Sequence, residues 1–470
     1  MKRSIPTLSL FATIVILSGC VVGPRYKRPA VSTPPAYRDA DSVAGNEADS
    51  SNSSIGDLKW SEIFEDEQLK ALIGEALDRN FDVRIAAQRV FEQQAQVGVA
   101  RAQALPSLSG GAAYTAIGLP YGLLGNTSSP SFHGGGFTAS AAWNLDFWGL
   151  YRRQNEAARA QLLATEWGRR ATLSSVVIQV AASYIQMRTL DSQLEITRGT
   201  LESRGESLRL VRLRESVGST TMADVYQAEQ LLYAAEAALP ELERQIREQE
   251  NNLSLLLGRN PGPIPRGKRN AEQPHPSAVP AGIPSQLLER RPDIRRAEAQ
   301  LMAANAQIGV ARAQFFPQIS LTGMGGTATG QFNMLFSSAS NYWLAGGNIS
   351  LPIFTGGKLK NNLKSAEAAR QEMVLAYQQT IAASFRDVSN ALISYQKSTE
   401  NRLAQEKEVT AARESVRLAR VRYENGSTSY LEVLTNDTNL FAAEFRLAGA
   451  QEPEALSLVQ LYGALGGGWR

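Results

Sequence analysis

A chain of 470 residues has room for about three ordinary domains or one very elongated one. Lys and Arg number 48 against 45 Asp and Glu, so the formal charge of +3 offers neither a basic surface for nucleic acid nor an acidic solvating tail. Hydrophobic residues make up 43% of the chain, yet no internal stretch reaches the roughly 18 apolar residues of a membrane helix, so any membrane crossing must be a β-barrel.

Residues 1–19 read as a signal peptide, with Lys2 and Arg3 ahead of a short apolar core from Leu8 to Leu17. The core ends at Leu17-Ser18-Gly19-Cys20, which resembles the bacterial lipobox and implies a lipid anchor on Cys20. Cys20 is the only cysteine, so no disulfide competes for it. Val21 follows it where an Asp would mark inner-membrane retention. Residues 20–58 are rich in Ser, Pro, Ala and Asp without periodicity and read as a flexible tether, with order expected from about Trp60.

The rest is a duplicated half-molecule with a repeat of roughly 210 residues, far beyond a solenoid unit. Asp82-Val83-Arg84 is echoed by Asp293-Ile294-Arg295, Ala95–Gln103 by Ala306–Gln314, and Gly218-Ser219-Thr220-Thr221 by Gly426-Ser427-Thr428-Ser429. Short helices are expected over 59–106 and 287–316, and strand hairpins over 107–147 and 317–354. A long helix, a turn and a return helix are expected over 148–257 and 355–452. A connection at 258–286 and a helix end with a tail at 453–470 complete the chain.

Within the hairpins the hydrophobic period is two. Leu108, Gly110, Ala112 and Tyr114 share one face, as do Phe137, Ala139, Ala141, Trp143 and Leu145. The second half repeats this with Ile319 and Leu321, then Trp343, Ala345, Gly347 and Ile349. Strands of about 10 residues with one apolar and one small or polar face suit a membrane barrel. Proline-free windows then predict helices of roughly 65–70 residues, about 100 Å long. Val409, Ala412, Val416, Ala419 and Tyr423 keep a heptad rhythm, as do Val225, Ala228, Leu232, Ala235, Leu239, Leu242 and Ile246. A kink or restart is expected at Pro240.

Four strands cannot close a barrel, because lipid offers no hydrogen bonds to the two open edges. Three copies supply twelve strands and, by the same arithmetic, a ring of long helices around water.

These segments resemble the outer membrane factor (TolC) family, and within it the lipoprotein branch of the OprM type. The resemblance rests on Cys20-Val21-Val22-Gly23-Pro24 with Tyr26, on Arg290–Glu298, on Leu351-Pro352-Ile353-Phe354 and on Leu461–Trp469. It covers nearly the whole mature chain. It implies a membrane α+β fold: a homotrimer with a twelve-stranded outer-membrane β-barrel, four strands per chain, continued by a long periplasmic twelve-helix α-barrel. It further implies a periplasmic membrane-fusion adaptor, an inner-membrane transporter of the RND type, and surrounding outer-membrane lipid. The helix turns are then the gate and the adaptor contact, which selects Arg214, Gly218, Ser219 and Thr220, with Arg422, Tyr423, Glu424, Gly426, Ser427, Thr428 and Tyr430.

The sequence departs from the family in one respect. Several members narrow the pore with a ring of Asp, and Thr428 stands at that place here. Closure is therefore expected from interhelical hydrogen bonds and from Tyr430 and Leu431, with Asp224 and Glu432 read as solvated helix charges. No enzyme, cofactor or metal is expected, because the only histidines, His133 and His275, fall in expected loops. Two other readings use the same features: a duct for protein or polysaccharide, and a non-conducting lipid-anchored coiled-coil scaffold.

Overall fold

The computed structural model describes residues 21–38, 54–118, 131–273, 276, 280 and 282–469. Cys20 and His275 lie outside them. A turn of 3-10 helix at Ile55–Asp57 precedes helices α1 (Trp60–Ile63), α2 (Glu67–Arg79) and α3 (Phe81–Ala102). Strands β1 (Ser107–Gly118) and β2 (Ser131–Leu145) lead to helices α4 (Leu150–Ser216) and α5 (Met222–Leu256). The second half gives α6 (Leu287–Arg290), α7 (Pro292–Ala313), β3 (Gln318–Thr329), β4 (Asn341–Ser350), α8 (Lys358–Glu424) and α9 (Tyr430–Ala464). The duplication is literal: α4 and α8 each have 67 residues, and α5 and α9 each have 35.

The chain divides into two compact units. The first comprises 1–30, 90–165 and 296–377 and holds the sheet. Its strands run in the order β1-β2-β3-β4, all antiparallel. Directly opposed residues share a face, so the register sorts the side chains. Leu108 faces Ala141, Ala112 faces Phe137, Trp143 faces Leu321, and Ile319 faces both Leu145 and Ile349. On the other face Ser109 and Ser140 hydrogen-bond at 2.8 Å, Ser320 lies between Asn144 and Asn348, and the hydroxyls of Thr138 and Tyr342 meet at 2.8 Å. Leu108 is 81% exposed and Trp343 82%, so among the described residues these parts of the apolar face stay uncovered. Among the described residues β1 pairs only with β2 and β4 only with β3. Two edges stay open.

Where strands meet helices, Asp146 accepts from the backbone N–H of Tyr151 and Arg152, and Gly149 turns the chain with φ +81°. Trp148 stacks on Phe316 at 4.9 Å and donates its indole N–H to Pro317 O, tying the two halves at the base of the sheet.

The second unit comprises 31–89, 166–295 and 378–470. Leu69, Leu72, Ile73 and Ala76 of α2 pack on Val176, Val177, Val180 and Tyr184 of α4 with Leu253 and Leu257. A second cluster joins Val388, Leu392 and Tyr395 of α8 to Leu461, Tyr462 and Leu465. Buried Asp66 is the polar hub. It caps α2 through Gln68 N and Leu69 N and accepts from the Tyr184 hydroxyl and Lys268 N. Asp66→Ala removes a cap worth about 0.5–2 kcal/mol and strands donors at about 1–3 kcal/mol each when buried. Circular-dichroism melting should show a clear drop in midpoint, with Asp66→Asn intermediate because Asn still caps.

The heptad reading holds at Val225, Ala228, Ala235, Leu242, Ile246, Val409, Val416 and Ala419, all buried. Four expectations need correction. Helix α5 runs through Pro240 without a restart, because that position is exposed and water can take the freed carbonyl of Glu236. Strand β2 starts at Ser131, ahead of the expected alternation, because pairing with β1 carries it through Gly134–Gly136. His133 therefore sits in a strand. The supposed tether is fastened where it is described. Val22 N–H donates to Trp148 O, Arg153 holds the carbonyls of Val22 and Gly23, and Arg28 grips Glu298 at 2.6 and 2.7 Å. In the second unit Tyr37 and Ile55 enter the core. Composition alone cannot reveal partners far away in sequence.

Candidate functional site

Helix α4 ends in a Schellman motif. Gly218, at φ +75°, donates its N–H to Glu215 O, and Ser219 N–H donates to Arg214 O, both at 2.8 Å. The Ser219 hydroxyl also donates to Arg214 O. Thr221 then caps α5 in a reciprocal box with Asp224, whose carboxylate also accepts the Thr220 hydroxyl at 2.6 Å. The second turn repeats the device. Gly426, at φ +69°, donates to Tyr423 O, and Ser427 N–H donates to Arg422 O. Arg422 pairs with Glu432 at 2.6 Å, and the Thr428 hydroxyl donates to the same carboxylate. Open space surrounds both glycines, so their backbone conformation alone selects them.

Asp224 is thus an engaged capping group and Glu432 is held by the Arg422 and Thr428 side chains, so neither is merely a solvated charge. The Thr220 hydroxyl, then Thr221, hold the Asp224 carboxyl below the ordinary carboxylate value. A depressed folded pKa gives a contribution that is complete above the unfolded value of 3.8 and is lost as pH falls through the folded one. The protection factors of amides in the first turn of α5, which remove the intrinsic pH dependence of exchange, should therefore stay flat through neutral and mildly acidic pH and fall only in stronger acid.

The structure brings the two turns together. The Arg214 guanidinium lies over the Tyr423 ring at 4.5 Å, and Tyr423 sits 5.2 Å from Tyr430. Tyr430 is buried with Leu208, Val211, Val225, Ala228, Ala419, Val433 and Leu434. Gly218, Ser219, Glu424, Gly426, Ser427 and Leu431 are exposed.

Sequence reasoning missed Arg204. It is 6% exposed, donates to Leu231 O at 2.8 Å, lies 3.4 Å from Asp437 and stacks over Phe441 at 5.2 Å. Arg420 reaches Asp437 at 3.5 Å and Ser203 at 3.4 Å. One knot therefore ties α4, α5, α8 and α9, and with them the two halves of the chain. The repeat carried a signal. Counting back from the turns, Arg204 matches Ala412, an alanine of the second seam.

The sequence profile described as outer membrane efflux protein matches residues 72–259 and 283–467. The chain belongs to this outer membrane efflux protein family. It is 37% identical over 466 residues to the solvent efflux pump outer membrane protein SrpC of Pseudomonas putida, spanning 98% of each. It is 35% identical over 459 residues to the cation efflux system protein CusC of Escherichia coli K12, spanning 97% of this chain and 98% of that one. The solved open-state MtrE outer membrane channel of Neisseria gonorrhoeae superposes with TM-score 0.86 at 31% identity, over 96% of this chain and 99% of that one. The efflux protein is accordingly an outer-membrane channel of a tripartite pump. Its fold is that of the trimeric efflux channels, with a four-stranded sheet per chain and a helical barrel. The family is one of transport ducts, not of enzymes.

Proposed function

We propose that this channel is the exit duct for an RND-type inner-membrane transporter, reached through a periplasmic membrane-fusion adaptor that seats on the two helix turns. The observation that carries the reading is the pairing of exposed turn residues with a locked interior. Ser219 and Ser427 are exposed at the surface, while Arg214, Tyr423 and Tyr430 hold one turn against the other. Docking can then act on the outside of the tip and change its inside. The duct is passive; the pump supplies energy and selects cargo. Drugs or other small molecules are the cargo in this reading. Lipid on Cys20 completes the attachment to the outer membrane.

Closure in this reading needs no acidic ring. Thr428 spends its hydroxyl on Glu432, and buried Tyr430 supplies packing. Tyr430→Ala should raise single-channel conductance in planar bilayers, while Glu424→Ala leaves ion selectivity as it was. Ser219→Trp with Ser427→Trp should preserve the trimer and its conductance yet abolish efflux in cells carrying the adaptor and pump. Full efflux by that double variant counts against docking at the turns.

A further inference from the structure

We infer that the β3–β4 loop is a membrane-contacting flap, not a lid over the pore, and that it forms a groove for an acyl chain of an outer-leaflet lipid. Phe336 stacks on Phe137 with ring centroids 5.9 Å apart and planes 22° from parallel. Phe137 opposes Ala112 in the ladder and so belongs to the apolar face that also carries Leu108 and Ala141. A ring can stack on Phe137 only from the side toward which that side chain points. The loop therefore lies on the apolar face, away from the Ser109, Ser140 and Thr138 side.

A groove of about 250 Å³ opens between loop and sheet, lined by Ala112, Tyr114, Phe137, Phe332 and Leu335 with the backbone of Gly135. Its lining carries no charged side chain. Leu335 is buried, while Phe332 and Phe336 are more than four-fifths exposed. Strand β1 leaves α3 at Ser107 and ends at Gly118, so Tyr114 lies toward the strand end remote from the helices. In an outer-membrane channel that end is the outer rim.

The occupant follows from continuity. The groove is part of the sheet face that a barrel of this family turns to hydrocarbon. A neighbouring copy pairs along the open strand edges and leaves the face uncovered. Two large exposed aromatic rings at the rim match the interfacial girdle of membrane barrels. An acyl chain fits such a slot, since apolar surface buried there leaves water.

Cysteines at Phe332 and Phe336 test this, because Cys20 is the only native one and the parent protein serves as the labelling blank. Leu108→Cys and Ser140→Cys mark the two faces. Each trimer is labelled with bimane and reconstituted in vesicles of phospholipid with or without bromine on the acyl chains, with iodide as the aqueous quencher. Bimane at 332 and 336 should dim in brominated lipid as far as at 108, and resist iodide. Quenching by iodide and not by brominated lipid, as at 140, overturns the inference. If 108 and 140 respond alike, the sorting of faces fails and the inference falls with it. Conductance of the Phe332→Ser, Phe336→Ser variant is an independent arm: it should equal wild type, and a rise would restore the lid.

Discussion

Arginine in place of Leu321 should abolish the heat-resistant trimer, whereas arginine at the adjacent Ser320 should leave it intact. The two residues are neighbours in β3 and point to opposite faces. Leu321 opposes Trp143 and Gly347 on the apolar face, while Ser320 opposes Asn144 and Asn348 on the polar one. A cation on the lipid side costs up to about 2–4 kcal/mol in each copy, most at the midplane and less toward the interfaces, and three copies carry it together. On the water side the same charge keeps its hydration. Migration of unboiled against boiled protein reads the difference directly. Equal loss of the trimer in both variants would mean that the register does not divide lipid from water.

Arg204→Met should destabilise the tip strongly and open it. The guanidinium is almost fully buried between Leu231 O, Asp437 and the Phe441 ring. Removing one partner of a buried pair typically costs about 3–5 kcal/mol, because the other charge stays uncompensated. Arg420 reaches Asp437 from the surface and softens the loss. Joining Asp437→Leu to Arg204→Met should recover part of the stability, since a well-packed apolar pair replaces the ions. It should not restore closure, because no hydrogen bond then ties α4 to the Leu231 carbonyl of α5. Conductance should therefore be raised in both variants, while the single variant melts earlier than the double. A single variant with wild-type conductance would remove Arg204 from the gate.

The parts of this molecule that repeat or keep a period were legible in the sequence. Two-residue alternation marked the strands, the heptad seam marked buried Val225, Ala228, Val409 and Val416, and the Gly-Ser-Thr echo marked both turns. Contacts between distant residues left no such trace. Tyr26 and Glu298 stand in two motifs that looked unrelated, and only the folded chain shows the second gripping the first together with Arg28. Asp66 looked like one acid among many, yet its donors come from α2, α4 and the 258–286 connection. The glycine run before Phe137 hid the start of β2, because glycine carries no alternation and pairing alone extends the strand. Pro240 did not bring the expected restart, because a strong local signal breaks no helix where the freed carbonyl lies exposed to solvent.

The mass of the detergent-solubilised particle bears most directly on the whole account, which needs the open edges of β1 and β4 to be met by other copies. Native mass spectrometry should find three chains, each with added lipid mass at its N-terminus. A folded particle of one chain, stable with both edges bare, would contradict it.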